Sequence, residues 1–139
     1  MGLKNNFMKQ TLIVTVGLPR SGKTTWAKEQ AKKGIPVISL DDVRLTTHGK
    51  RFLKEAEPLV WKKAKQMIDA LFMSGSDTVI LDECNVTAYE RAYWASPSWK
   101  VKYKYFKTTK EECIQRAERL EDPEIIIVIK EKARLADYG

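Results

Sequence analysis

The residues from Gly17 to Thr24 have the types and the spacing that bind a nucleoside triphosphate. They read Gly-Leu-Pro-Arg-Ser-Gly-Lys-Thr and match every fixed position of the phosphate-binding loop motif. Gly17 and Gly22 let the backbone amides come close to the phosphates. Lys23 adds a positive charge for the β- and γ-phosphates, and the Thr24 hydroxyl is a ligand for Mg²⁺. The motif therefore predicts a site for ATP and Mg²⁺.

The context of the loop supports this prediction. The β-branched run at 11–16 is typical of a buried strand that enters such a loop, and the run at 25–31 is typical of the helix that leaves it. A chance match in a glycine-rich turn is the alternative, and it requires neither element. We therefore predict that the nucleotide is contacted by the following residues: Gly17, Pro19, Arg20, Ser21, Gly22, Lys23, Thr24 and Thr25.

Three aspartates follow two further predicted strands. Asp41 and Asp42 come at the end of the run at 35–40, and Asp82 follows the apolar run at 78–81. Ligands of open parallel sheets bind at the carboxyl ends of the strands, so these side chains should lie beside the phosphate-binding loop. Asp82 is then the expected second Mg²⁺ ligand, and Asp41 is available to accept a proton from an attacking hydroxyl. Capping of the next helix is the alternative role of the two adjacent aspartates.

Helical periodicity alternates with the strands along the chain. It predicts helices at 25–31, 50–73, 88–94, 110–120 and from Pro123 to about 137. Strands that alternate with helices indicate a parallel sheet with helices on both faces. We therefore predict an α/β fold of three layers that forms a single domain over residues 1–139, with residues 1–9 as a flexible N-terminal segment.

Composition limits the class of protein. The chain has 139 residues, of which 43% are hydrophobic, enough for one domain with a sizeable core. No apolar run approaches the roughly 20 residues that cross a bilayer, and the first ten residues lack the apolar core of a signal peptide. Cys84 and Cys113 do not have the spacing of metal ligands. We expect a soluble, cytoplasmic protein without a membrane partner.

The net charge of +7 favours polyanionic partners. Part of this charge lies in a run where Lys100, Lys102 and Lys104 alternate with one valine and two tyrosines. The alternation predicts a strand with one basic face and one apolar face. Two interpretations remain open: the lysines contact nucleic acid, or they protect a solvated edge strand from pairing with another chain.

Three segments together resemble the kinase domain of phage polynucleotide 5′-hydroxyl kinases. They are the phosphate-binding segment 17–27, the Leu-Asp-Asp-Val-Arg segment at 40–44 and the Ile-Leu-Asp-Glu-Cys-Asn segment at 80–85, and the similarity spans almost the whole chain. The resemblance implies the three-layer P-loop kinase fold. It also implies that Asp41 is the general base and that Arg44 holds the 3′-phosphate of the acceptor.

Further roles follow from the same resemblance. In this family, arginines after the last strand clamp the phosphates of the donor, and Arg116 and Arg119 match them here. Asp42 and Asn85 lie in the matching segments and are expected on the acceptor side. With Lys23 and Arg116 stabilising the transferred group, the chain is expected to move the γ-phosphate of ATP to the 5′-hydroxyl of DNA or RNA.

Other functions remain open. Small P-loop kinases also phosphorylate nucleosides, nucleotides and sugars, so the acceptor could be a small molecule. The residues Leu81-Asp82-Glu83 also fit an ATPase in which Glu83 polarises the attacking water. A nucleic-acid-binding module with an inactive loop is disfavoured, because Lys23, Thr24 and Asp82 are all present.

Overall fold

One parallel sheet carries the candidate site. In the computed structural model, which describes residues 10–138, its strands are β1 (Thr11–Val16), β2 (Val37–Ser39), β3 (Thr78–Asp82) and β4 (Lys100–Tyr105). Their order across the sheet is β2-β3-β1-β4, and every neighbouring pair is parallel. The N-terminal segment 1–9, predicted to be flexible, lies outside the described residues.

The central strands are buried because their apolar runs are covered on both faces. Leu12, Val14 and Val16 of β1 have no exposed surface, and neither does the run 79–81 of β3. Their register pairs Val14 with Leu81, so both strands end at the same edge of the sheet. Residues that follow these strands are thereby brought together.

Helices connect the strands and flank the sheet. They are α1 (Lys23–Lys32), α2 (Leu40–His48), α3 (Glu57–Met73), α4 (Ala88–Tyr93), α5 (Lys110–Arg119) and α6 (Pro123–Leu135), with a short 3₁₀ turn at Lys54–Ala56. Thr87 begins α4 with a capping box, and Asp122 caps α6 by accepting a hydrogen bond from the Ile125 amide at 3.3 Å. The predicted α/β class, with helices around a central parallel sheet, is confirmed.

Two predicted element boundaries differ from the structure. The helix predicted at 50–73 begins only at Glu57, because Pro58 fits the first turn of a helix and not its interior. The strand predicted at 35–40 is reduced to three residues, since α2 begins directly after it at Leu40. Asp41 and Asp42 therefore lie in the first turn of α2.

Two apolar clusters hold the layers together. The larger one packs α2 and α3 on β1 and β3 and includes the buried rings of Trp94 and Trp99. The smaller one joins Leu18 and Cys84 to α5 and α6. Burial of apolar side chains in such clusters is the main stabilising contribution in a domain of this size. Within the described residues, no helix combines the length and the apolar character needed to span a membrane.

The strand β4 lies at one edge of the sheet and remains exposed. Only Val101 in this strand is half-buried, and Tyr103 and Tyr105 each keep 42% of their surface exposed. The predicted apolar face is therefore present in the sequence but largely solvent-accessible in the structure.

Candidate active site

The phosphate-binding loop joins the end of β1 to the start of α1. Gly22 has a φ of 107°, which glycine adopts without strain. A Cβ at Gly17 would lie 2.8 Å from Ser21 Oγ and 2.9 Å from the carbonyl oxygen of Phe106, so this position has no room for a side chain. The Lys23 ammonium is buried and donates to the carbonyl oxygen of Leu18 at 2.6 Å. The loop thus has the geometry that its motif predicts.

Two oxygen ligands for a divalent cation meet beside the loop. Thr24 Oγ1 donates to Asp82 Oδ2 at 2.9 Å, although 58 residues separate them in sequence. Burial raises the pKa of Asp82, while the Thr24 hydrogen bond and the Lys23 charge act in the opposite direction. A hydroxyl and a carboxylate are the oxygen donors that Mg²⁺ prefers, so this pair fits the ion and would hold it.

A buried arginine lies at the centre of three carboxylates. Arg44 donates from Nη1 to Asp41 Oδ1 at 2.8 Å, and from Nη2 to Glu83 Oε2 at 2.8 Å. It also forms a two-bond contact with Glu57, at 2.9 and 2.8 Å. Burial alone would lower the pKa of Arg44, but the bonds to Glu57 and Glu83 outweigh it and raise that pKa. Arg44 is thus engaged by this chain's own carboxylates.

Among the carboxylates around Arg44, Asp41 and Glu83 differ most in their exposure to solvent. The Asp41 side chain is 78% exposed, whereas that of Glu83 is 10% exposed. Burial opposes ionisation of Glu83, but the charges of Arg44 and Lys132 prevail and lower its pKa. Glu83 is therefore a buried anion held in an ion pair, and Asp41 is an oriented carboxylate that faces solvent.

Two cavities meet at the phosphate-binding loop. The larger has a volume of about 790 Å³ and the smaller about 480 Å³. Both are lined by Arg20, Lys23 and Thr24. Because they share these residues, groups bound on the two sides would meet at the loop.

The smaller cavity collects the residues predicted to bind the donor. Its walls include Gly22, Thr25, Arg116 and Arg119. Arg116 Nη1 donates to the carbonyl oxygen of Arg20 at 2.9 Å, which links α5 to the loop. The structure thus brings both predicted arginines to the phosphate-binding residues.

The larger cavity joins the predicted base to an apolar wall. Pro19, Asp41, Arg44 and Asp82 line it, together with the apolar residues Phe52, Trp61, Cys84, Ile125, Ile127, Val128 and Leu135. Arg51 and Glu124 stand at its side, and Arg51 forms an ion pair with Asp122 at 2.6 Å. An apolar wall beside a charged centre suits an acceptor that has a ring or a nucleobase.

Two predicted acceptor residues do not reach this cavity. Asp42 is exposed and is not among the cavity residues. Asn85 is fully buried: its side chain donates to the Thr15 carbonyl oxygen at 2.9 Å and accepts from Trp94 Nε1 at 2.9 Å. Asn85 thus ties the end of β3 to β1 and α4, a structural contact that its position in the motif did not indicate.

A family model described as an AAA domain matches residues 12–131. This chain belongs to that AAA domain family. The match includes the whole phosphate-binding loop, both strands that end at the site and most of α6.

Solved structures similar to this chain define the fold of this AAA domain in more detail. A gluconokinase from Sinorhizobium meliloti is 12% identical with a TM-score of 0.66, over 94% of this chain and 77% of the other. The APS kinase CysC of Mycobacterium tuberculosis is 16% identical with a TM-score of 0.63, over 87% and 73%. These similarities confirm the P-loop kinase fold.

A third similar structure is a chain of the Pnkp1/Rnl/Hen1 complex, with 23% identity and a TM-score of 0.68. The similarity covers 78% of this chain and 39% of that one. A second structure of that assembly, described as an RNA repair complex, is matched over 46% of its chain. The present chain thus spans less than half the length of these relatives.

Proposed function

We propose that this chain transfers the γ-phosphate of ATP to the 5′-hydroxyl of DNA or RNA, with Asp41 as the general base. The observation that carries the proposal is the placement of Asp41. Its carboxylate is 78% exposed, is held by Arg44 at 2.8 Å and lines the same cavity as Lys23 and Asp82. A base that is oriented but accessible is what an incoming hydroxyl requires.

The donor would occupy the side of the smaller cavity. Loop amides and Lys23 would hold the β- and γ-phosphates, while Arg116 and Arg119, which line the same cavity, would offset negative charge. Thr24 and Asp82 would hold Mg²⁺, which when bound neutralises charge on the phosphates. These roles use residues that the structure already brings together.

The reaction balances with groups of this site. A bond forms between the acceptor oxygen and the γ-phosphorus, and the bond from that phosphorus to the β,γ-bridging oxygen breaks, leaving ADP. The proton of the acceptor hydroxyl goes to the free oxygen of Asp41. Arg44 keeps the carboxylate oriented through the other oxygen. Lys23 balances the charge that develops on the phosphates.

An ATPase that uses Glu83 receives less support. Glu83 is buried and its carboxylate accepts from Arg44 at 2.8 Å. Its lowered pKa makes it a weaker base than an ordinary glutamate.

The second candidate is a small-molecule kinase, which the apolar cavity and the fold shared with gluconokinase and APS kinase favour. This second candidate would use the same donor side as the proposed polynucleotide kinase, and also Asp41 as the base.

Transfer from γ-labelled ATP tests the proposal. Purified protein with Mg²⁺ is offered a 5′-hydroxyl oligonucleotide, a nucleoside 3′-monophosphate, a nucleoside, a sugar acid and water in parallel reactions. We expect label on the oligonucleotide, and a loss of at least about 10²-fold in Asp41→Asn. Asp42→Asn is the matched comparison, because it removes the same charge one residue away, outside the cavity.

The outcomes separate the candidates. Label on only the nucleoside or the sugar acid supports the small-molecule kinase. Label released only as phosphate, with full activity in Asp41→Asn, contradicts the assignment of the base and favours the ATPase. Thermal unfolding of each variant shows whether a loss of transfer reflects chemistry or folding.

A further inference from the structure

A strip of aromatic and basic side chains runs along β4, outside both cavities. We define it by Tyr103, Tyr105, Tyr138 and Lys107. The ring centroids of Tyr103 and Tyr105 are 6.2 Å apart, and those of Tyr105 and Tyr138 are 6.0 Å apart. The Lys107 ammonium lies 6.0 Å from the centre of the Tyr105 ring. The strip therefore presents a row of three rings and a cation.

The strip is accessible and lies in a basic part of the chain. Tyr103 and Tyr105 are each 42% exposed, and Tyr138 is half-buried. The segment 95–110 contains five lysines and no acidic residue, so it accounts for most of the net charge of +7. Its lysines on β4 are all exposed and lie on the face of this edge strand opposite Tyr103 and Tyr105. Exposed rings beside unbalanced positive charge are unusual on a surface that contacts water alone.

The chain that follows the strip on β4 contacts the phosphate-binding loop. Phe106 follows β4 directly, and its carbonyl oxygen lies 2.9 Å from the position that a Cβ of Gly17 would take. Two residues later, Thr108 Oγ1 donates to the carbonyl oxygen of Ser21 at 2.9 Å. A polymer that lies along β4 would thus pass beside the phosphate-binding residues.

We infer that the strip binds single-stranded nucleic acid, with bases stacked on the tyrosine rings and a phosphate near Lys107, while the lysines on the other face of this edge strand add to the positive potential around it. Base stacking on aromatic rings and contacts between lysines and phosphates together give binding that tolerates many sequences. A small acceptor would have no use for a surface outside the cavity. As a route for the acceptor the inference rests on the proposed function, but binding by the strip does not require catalysis.

Pairing of β4 with a second copy of the chain is the competing use of an exposed edge. The lysines argue against it, because two copies would bring like charges together and lysines on an edge oppose strand pairing. The same charges attract the phosphates of a nucleic acid.

Binding of a fluorescent single strand of about twelve nucleotides, without ATP, tests the inference by anisotropy. We expect Tyr103→Leu/Tyr105→Leu to weaken binding at least about tenfold, which is about 1.4 kcal/mol. Tyr89→Leu is the control, because Tyr89 is 88% exposed and makes no ring contact within the described residues. Lys107→Gln should reduce the dependence of affinity on salt, because Lys107 is the cation that lies over the Tyr105 ring.

Kinetics give a second readout. The wild type should show a lower KM for the long strand than for a dinucleotide, and the double tyrosine variant should lose this difference. Equal affinity of the folded variant and the wild type, or a dimer that the variant abolishes without any nucleic-acid binding, would overturn the inference. Tight binding without phosphate transfer contradicts the proposed function but supports binding of nucleic acid by the strip. Phosphate transfer that the strip variants do not change supports the proposed function and contradicts the strip as a route for the acceptor.

Discussion

Arg44 determines how the carboxylates around it behave. It makes four hydrogen bonds to Asp41, Glu57 and Glu83 and has little guanidinium surface left for a ligand. The resemblance implies a contact to the acceptor phosphate. Because these carboxylates occupy most of its donors, we propose that Arg44 acts instead as a positioning residue for Asp41, the proposed base.

Replacement of Arg44 by lysine distinguishes these roles. An ammonium cannot keep the two-bond contact to Glu57 and also orient Asp41. We expect Arg44→Lys to lower kcat at least about tenfold for acceptors with and without a 3′-phosphate, since the base is misplaced in both. The measurement is kcat and KM, taken separately, for a matched pair of acceptors. A selective loss for the 3′-phosphorylated acceptor would instead support direct phosphate binding.

Glu83 links this ion-pair network to the pH dependence of stability. Its pKa is lower in the folded protein than the ordinary value of 4.5, so its contribution is present above that pH and is lost as the pH falls below it. We expect urea unfolding to show a smaller loss of stability between pH 5 and pH 3 for Glu83→Gln than for the wild type. At pH 7 the variant should be less stable by about 1–3 kcal/mol.

An identical slope for both proteins would show that other carboxylates cause the acid sensitivity. Asp77→Asn is a suitable control, because it removes a carboxylate that is exposed and lies outside the Arg44 network.

Local sequence was sufficient for some of these residues and not for others. The loop motif and the strand ends predicted the meeting of Thr24 with Asp82, because parallel strands fix where their carboxyl ends lie. Nothing in the sequence near Glu57 indicates that it would contact Arg44, since the approach depends on how α2 packs against α3. Burial of Asn85 likewise depends on a tertiary partner, Trp94.

The start of α6 joins three parts of the site. Asp122 caps the helix through the Ile125 amide and accepts from Arg20 of the loop at 3.3 Å and from Arg51 at 2.6 Å. Its pKa is lowered, with the Arg51 hydrogen bond as the largest cause. One carboxylate thus couples a helix end to Arg20, which lines both cavities, and to Arg51, which lines the larger one.

Two substitutions of Asp122 separate the cap from the ion pairs. Asparagine can still cap a helix, so Asp122→Asn should keep the melting temperature close to that of the wild type while releasing Arg20 and Arg51. Asp122→Ala should lower the melting temperature and speed hydrogen exchange of the Ile125 amide. Equal melting temperatures for the two variants would show that the cap contributes little.

Element boundaries followed the sequence where a single residue decides them. Pro58 limits the start of α3, and the glycines at 34 and 75, both with positive φ, follow the ends of α1 and α3. The exposure of β4 was less predictable, because alternation shows that a strand has two faces and not whether a helix covers one of them.

Ligand binding at the residues shared by the two cavities should raise the stability of the folded protein. Because Lys23 and Thr24 line both, ATP with Mg²⁺ should stabilise the native state by about 2.7 kcal/mol at a hundred times its Kd. This corresponds to an increase in melting temperature of roughly 5–15 °C. Differential scanning fluorimetry measures it, and Lys23→Ala should abolish it. An equal shift in Asp41→Asn is expected, since Asp41 is proposed to act on the acceptor and not on ATP.

Cys84, in the wall of the larger cavity, gives the native chain a built-in chemical reporter. The residue is 6% exposed, and burial raises the pKa of its thiol. Alkylating reagents react with the thiolate, so modification of Cys84 is limited to moments when the wall opens and the thiol ionises. Anything that fills the cavity should slow this labelling. The rate of alkylation can therefore rank candidate acceptors on the unmodified protein before any product is detected.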